Sequence, residues 1–85
     1  MQIHLKFFAS LRESLGTSSE TVSLPADVTT AGQARDFLRA RGGVWAEALA
    51  DGNALRIALN QQMAEPGAAL SEGCELAFFP PVTGG

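Results

Sequence analysis

The residues with the clearest chemical potential are the last six, Pro80-Pro81-Val82-Thr83-Gly84-Gly85. Proline fixes its own φ and lacks an N–H donor, so a central strand cannot continue through the two prolines. Glycine has no Cβ, so the final pair can pass through a channel too narrow for other residues. Six extended residues span roughly 20 Å, enough to enter the active site of another protein. We therefore predict a compact domain at residues 1–79 and a flexible tail at residues 80–85.

A terminal carboxylate on Gly85 becomes a good electrophile only after activation. Transfer of AMP from ATP gives an acyl-adenylate, and a sulfur nucleophile that displaces AMP leaves a thiocarboxylate. This anion is a strong nucleophile, as thiolates are, and a tail threaded into a partner's pocket delivers it in position. If a lysine amine is acylated instead, the product is an isopeptide bond. The tail therefore permits either sulfur donation or protein tagging.

The rest of the chain shows no catalytic set. His4 is the only histidine and falls on the polar side of a predicted strand, whereas Cys74 is the only cysteine and falls on an apolar side. No group of His, Cys and carboxylate residues has metal-ligand spacing, and no phosphate-binding or nucleophile-elbow motif occurs. We expect no metal site, no cofactor bound by this chain and no catalysis by the chain alone.

Composition places the chain among small folded domains. Its 85 residues are 46% hydrophobic and 18% charged, with a net charge of −3, which allows one modest core. The scattered basic residues argue against nucleic acid. No apolar run approaches membrane-spanning length, and no signal-peptide pattern follows Met1. Together with a single cysteine, these features predict a cytoplasmic protein that binds no membrane.

Hydrophobic periodicity predicts a two-layer α+β domain. The main helix follows a capping box of Thr30 and Gln33, carries Arg35 on its outer polar face and is closed by Gly42-Gly43. Two short helices accompany it, one N-capped by Ser10 and one whose Trp45 packs inward. Strands are predicted at residues 2–8, 20–24, 55–59, 62–64 and 74–79. A mixed sheet with its first and last strands in the middle and one main covering helix is a β-grasp, as in ubiquitin.

Alternation within the two central strands also predicts a docking face. Arg56, Ala58, Ala77 and Phe79 fall on the face away from the helix. An exposed Phe with two exposed Ala is unusually apolar for solvent, which indicates a partner interface. His4 and Lys6 would form its rim. The alternative is that Phe79 folds against the tail prolines or a neighbouring loop.

Three segments resemble the small-subunit family of molybdopterin synthase. The most specific is G-C-E-L-A-F-F-P-P-V-T-G-G at residues 73–85. K-F-F-A-S-L-R-E-S-L-G at residues 6–16 and A-L-N-Q at residues 58–61 are similar to the family's opening and mid-chain segments. Cys74 departs from the family, in which an acidic residue is commoner at that position.

The resemblance implies a sulfur carrier for molybdenum cofactor biosynthesis. A ubiquitin-activating-type adenylyltransferase would use ATP to activate Gly85, which is then converted to a thiocarboxylate. The tail, with Pro80, Pro81, Val82, Thr83 and Gly84 as its threading residues, would enter the large synthase subunit. There it would give sulfur to cyclic pyranopterin monophosphate and build the dithiolene of molybdopterin. The implied assembly is a heterotetramer of two small and two large subunits.

Three other functions remain open from the sequence. A sulfur carrier for thiazole formation also ends in Gly-Gly, but it usually has a shorter body and lacks the F-F-P-P-V run. A ubiquitin-like protein modifier attached through Gly85 is possible, although the single lysine, Lys6, leaves little capacity for building chains. The last alternative is an interaction module with an inert tail.

Overall fold

The computed structural model describes residues 1–80, and the five residues from Pro81 to Gly85 lie outside the described part. The predicted elements are confirmed, with ends that differ by one or two residues. In chain order they are β1 (Gln2–Phe7), α1 (Ala9–Leu15), β2 (Ser19–Ser23), α2 (Ala31–Arg39), α3 (Gly43–Ala48), β3 (Arg56–Leu59), β4 (Gln62–Ala64) and β5 (Glu75–Phe79). The predicted division into residues 1–79 and 80–85 stays a prediction, because most of the tail is outside the described range.

The five strands form one mixed sheet in the order β2-β1-β5-β3-β4. β1 and β5 pair in parallel at its centre, with Phe7 opposite Phe78. The pairs β1–β2, β3–β5 and β3–β4 are antiparallel. The predicted β-grasp is therefore confirmed, including the central position of the first and last strands.

The core lies between the sheet and the helices and follows the alternation of the strands. Every second residue of β1 is buried, and so are Leu76 and Phe78 of β5. Phe7 and Phe78 stack with ring centroids 6.1 Å apart, while Trp45 of α3 meets Phe7 edge-on at 5.6 Å. The inward packing predicted for Trp45 is confirmed. Cys74 is buried in the same core, on the predicted side.

The start of α2 is fixed both locally and by a distant loop. The predicted capping box is present: the Gln33 N–H donates to Thr30 Oγ1 at 3.2 Å, and the Thr30 N–H donates to Gln33 Oε1 at 3.1 Å. The N–H of Gly32 donates to the carbonyl of Pro66 at 2.8 Å. A Cβ at Gly32 would stand 3.2 Å from that oxygen. Close backbone approach therefore favours glycine at this position.

The end of α2 corrects two predictions. α2 stops at Arg39, and Gly42, with φ of +78°, precedes α3 as its N-cap instead of closing the main helix.

Arg35, expected on the outer face of α2, is half-buried. Its Nε donates to Leu49 O at 2.8 Å, and its Nη2 donates to Ala50 O at 2.5 Å and Asn53 O at 2.9 Å. Burial lowers the pKa of this guanidinium. Arg35 thus holds the segment after α3 against α2.

Candidate functional site

The tail begins at the centre of the sheet. β5 ends at Phe79, between β1 and β3, and Pro80 follows outside the strand, as predicted for proline at this point. The remaining tail positions, Pro81, Val82, Thr83, Gly84 and Gly85, lie outside the described residues, so their predicted roles stay predictions. The tail therefore starts from the strand that is held by pairing on both sides.

An aromatic pair that the sequence reasoning missed lies at this exit. Phe8, directly after β1, stacks on Phe79 with ring centroids 4.6 Å apart and an interplanar angle of 4°. The stack lies on the face opposite the Phe7–Phe78 pair. The signal was present in the sequence, because Phe8 continues the outward alternation of His4 and Lys6. The predicted alternative that Phe79 packs against a neighbouring loop agrees with this contact, because Phe8 lies between β1 and α1; packing of Phe79 against Pro81 lies outside the described residues.

The backbone around Phe8 differs from the prediction. Phe8, not Ser10, occupies the N-cap position of α1, and its side chain makes no capping bond. Ala9 follows with φ of +52°, a left-handed conformation that costs a non-glycine residue about 1–2 kcal/mol. The chain therefore turns sharply away from the sheet at the residue after Phe8.

The predicted exposure of Ala58 and Ala77 is wrong. Both lie on the outer face and pair across β3 and β5, yet they are only 5% and 2% exposed. Lys6 lies opposite Ala77 on one side, and Met63 lies opposite Ala58 on the other. A methyl group in the middle of such a row is screened by longer neighbouring side chains. The two alanines form the buried centre of this face and contribute little exposed area to it.

Exposed apolar area on this face comes from other residues. Phe8 is 40% exposed and Met63 is 62% exposed, whereas Phe79 is half-buried. We call Phe8, Ala58, Met63, Ala77 and Phe79 the outer patch. Met63 was not predicted, although its alternation with Gln62 and Ala64 places it there.

Two exposed cations adjoin the outer patch. Lys6 is the neighbour of Ala77 on β1, and Arg56 lies opposite Phe79 on β3. The edge beside Ala77 and Phe79 is therefore positive, whereas Glu75, opposite His4, places a negative charge farther along the same face. His4 is farther along β1, where its Nδ1 lies 3.1 Å from Thr21 Oγ1. A partner surface that is apolar opposite Phe8 and Phe79 and acidic opposite Lys6 and Arg56 would complement this part of the face.

Away from the outer patch, Glu20 and Arg41 form a salt bridge that connects two elements of the fold. Glu20 lies on edge strand β2, opposite Leu5. Both of its carboxylate oxygens accept from Arg41, one of them at 2.9 Å. The hydrogen bonds lower the pKa of Glu20 and raise that of Arg41. Arg41 also lies 4.5 Å from the centre of the Trp45 ring, so it connects β2 to α3.

The groove beside the start of the tail carries no catalytic set. A shallow groove of about 420 Å³ borders Pro80, lined by Ser10, Leu11, Ser14, Ala48 and residues 52–55. Its only side-chain hydroxyls are two serines with no neighbouring base. Within residues 1–80, no three His, Cys, Asp or Glu side chains are placed to hold a metal ion. None of the helices in that range is long and apolar enough to cross a membrane.

Comparison with known proteins gives the family. The model of the ThiS family matches residues 5–85, and the chain belongs to that family. A molybdopterin synthase sulfur carrier subunit from Haemophilus influenzae is 41% identical over 83 residues, covering 98% of this chain and 99% of the relative. The protein of the same description from Escherichia coli is 43% identical over 83 residues, with the same coverage.

Solved structures agree on the fold. The structure of SAMP1 from Haloferax volcanii covers all of both chains with a TM-score of 0.77 and 31% identity. A putative molybdopterin converting factor subunit 1 from Pyrococcus furiosus gives a TM-score of 0.77 at 21% identity, covering 96% of this chain and 99% of that one. At that identity the likeness shows the β-grasp fold alone.

Proposed function

We propose that this protein is the sulfur carrier subunit of a molybdopterin synthase, with Gly85 as the reacting residue. The observation that carries the proposal is the F-F-P-P-V-T-G-G run, which starts on the central strand β5 and ends at the C-terminus. Two relatives more than 40% identical along almost the whole chain have that description. The ThiS family as a whole leaves the thiazole pathway open, and these two relatives favour molybdopterin.

The proposed chemistry uses the terminal carboxylate alone. The carboxylate of Gly85 attacks the α-phosphorus of ATP on an adenylyltransferase and releases pyrophosphate. A sulfur nucleophile then displaces AMP and leaves the thiocarboxylate. Its sulfur attacks an oxygen-bearing side-chain carbon of cyclic pyranopterin monophosphate in the large subunit, and the C–O bond breaks as the C–S bond forms, so that the oxygen leaves with its electron pair and is protonated. Hydrolysis of the resulting thioester leaves the sulfur on the pterin and restores the carboxylate of Gly85. ATP belongs to the activating enzyme, and this chain binds no cofactor of its own.

The outer patch is the proposed docking surface for the large subunit. It adjoins the start of the tail through Phe79, so docking and threading of Pro80 to Gly85 would occur together. The proposed assembly contains two small and two large subunits. We place the protein in the cytoplasm, because its activation consumes ATP.

Intact mass spectrometry tests the chemistry. The protein is incubated with the activating enzyme, ATP and a sulfur donor, and a gain equal to the replacement of one oxygen by sulfur is expected. A chain lacking Gly85 is the control: it should keep its fold and show no gain. A wild-type chain that never gains sulfur under these conditions would refute the carrier function.

Substitution of Phe79 by Asp tests the docking surface. A charge placed beside Phe8 should weaken binding to the large subunit by about fivefold or more, since central apolar contacts contribute about 1 kcal/mol or more each. Val44→Asp is the matched control, because Val44 is 49% exposed on α3, on the other side of the sheet. Titration calorimetry with the large subunit gives both affinities. Equal affinities for the two variants would contradict the assignment.

Protein modification is the second candidate. SAMP1 from Haloferax volcanii is 31% identical over the whole chain, and a related structure is titled small archaeal modifier protein 1. In that case Gly85 would be found in isopeptide bonds to lysines of other proteins. Tagged chain expressed in its own host, followed by denaturing electrophoresis, separates the two functions, because only a modifier forms covalent conjugates.

A further inference from the structure

Two stacked aromatic pairs lie on opposite faces of the sheet, beside the point where the tail begins. On the core side, Phe7 stacks on Phe78, with 12° between the rings. On the outer side, Phe8 stacks on Phe79, with 4° between the rings. In both pairs, one ring belongs to the β1 segment and the other to β5. The last two residues before Pro80 are therefore each held by a ring from the neighbouring strand.

The backbone holds Phe8 in place for this contact. The Phe8 N–H donates to the carbonyl of Phe78 at 3.3 Å, which extends the parallel ladder by one residue beyond β1. The Phe8 carbonyl accepts from the Leu11 N–H at 3.1 Å. Ala9 then turns the chain away from the sheet with φ of +52°. Such strained backbone persists where the surrounding structure holds it, and it clusters at functional sites.

We propose that Phe8 is a positioning residue for sulfur transfer, because its stack on Phe79 fixes the direction in which the tail leaves the sheet. The inference rests on the proposed carrier function. Pro80 follows Phe79 directly, so a change in the orientation of Phe79 changes the direction in which the tail starts. Misplacement of a reacting group by about 1 Å can cost a hundredfold in rate.

This role differs from docking and can be measured apart from it. A docking contact changes the affinity for the large subunit, and its effect on rate disappears at saturation. A contact that directs the tail changes the rate within the complex and persists at saturation. The experiment has to separate the two roles for Phe8, because its ring is stacked on Phe79 and is also 40% exposed to a partner.

The experiment is a single-turnover assay of the reconstituted synthase. Thiocarboxylated carrier, verified by intact mass, is mixed with cyclic pyranopterin monophosphate and large subunit in excess over its dissociation constant. Phe8→Leu keeps an apolar side chain and loses the ring, whereas Phe8→Tyr keeps the ring. Phe79→Leu breaks the same stack from the other side. Val44→Ala is the control away from the exit.

We expect the saturated rates of Phe8→Leu and Phe79→Leu to be about threefold to tenfold lower than the wild-type rate. This range corresponds to the energy of one stacked aromatic pair. The saturated rate of Phe8→Tyr should lie within about twofold of the wild-type rate, because tyrosine keeps the aromatic ring and most of the stacking energy. Val44→Ala should not change the saturated rate. Trp45 fluorescence in urea checks that each variant is folded.

Wild-type saturated rates in the leucine variants, with a change in affinity alone, would overturn the inference and leave the carrier function standing. Failure of Phe8→Tyr to rescue the rate would also overturn it. If the wild-type carrier never acquires sulfur, the proposed function itself fails and the inference fails with it.

Discussion

Replacement of Arg35 by lysine gives a direct test of how the helical layer is held together. Arg35 donates three hydrogen bonds to main-chain carbonyls of the segment after α3. Lysine keeps the positive charge but presents a single ammonium, which cannot reproduce the planar fork of the guanidinium. We therefore expect the substitution to lose at least two of the three bonds while the net charge stays constant.

The size of the effect follows from the contacts. A typical intramolecular hydrogen bond contributes about 0.5–1.5 kcal/mol net, so two lost bonds lower the free energy of unfolding by about 1–3 kcal/mol. Water can replace the lost donors at carbonyls that solvent reaches and so recovers part of this free energy. We therefore expect a loss in the lower half of the range. For a domain of this size, 1 kcal/mol corresponds to a shift in Tm of about 4–8 °C.

Urea denaturation followed by tryptophan fluorescence measures the loss. Trp45 is the only tryptophan and lies in α3, next to the segment that Arg35 holds. Arg39→Lys is the matched control, because Arg39 pairs with the exposed carboxylates of Asp36 and Asp51. Exposed pairs of this kind contribute at most about 1 kcal/mol. If Arg35→Lys is no more destabilising than Arg39→Lys, the structural role assigned to Arg35 is wrong.

Three further predictions concern stability. Gly32→Ala should lower the free energy of unfolding by about 1 kcal/mol instead of raising it as helix propensity would suggest, because its Cβ would stand 3.2 Å from the carbonyl oxygen of Pro66; thermal unfolding decides the sign. Glu20 has a lowered pKa in the fold, so its contribution is present above its ordinary pKa and lost as pH falls through the folded value. The stability difference between wild type and Glu20→Gln, measured by urea titration, should therefore shrink below about pH 4.5, and a constant difference would contradict this. A double-mutant cycle of Phe8→Ala and Phe79→Ala should give a coupling of about 0.5–1.5 kcal/mol, and no coupling would mean that the stack contributes nothing in solution.

The course of the backbone could be predicted from the sequence because its determinants are local. Alternating apolar residues located the strands, and the same alternation assigned the inward side of Phe78 and Cys74. Thr30 and Gln33 located the start of α2 through bonds between neighbouring residues. The end of β5 followed from Pro80, which lacks a backbone donor.

The errors concern contacts between segments that are distant in the chain. Whether an outward alanine is exposed depends on the side chains of adjacent strands, and Ala58 and Ala77 are buried for that reason. Helical periodicity predicted that Arg35 lies on an exposed polar face of α2. It is half-buried instead, because main-chain carbonyls 14 to 18 residues away accept hydrogen bonds from its guanidinium. Gly42 and Gly43 were equally compatible with ending one helix or starting another, and only packing distinguished the two.

The sequence by itself predicted where the chemistry lies, because the F-F-P-P-V-T-G-G run at residues 78–85 is its most specific motif and the only His and Cys belong to no recognisable catalytic motif. The tertiary structure decided what lies beside the start of the tail. Phe8 and Phe79 are 71 positions apart, and no local pattern pairs them. They meet because β1 and β5 are parallel neighbours at the centre of the sheet, where alternation puts both rings on the same face at the same end.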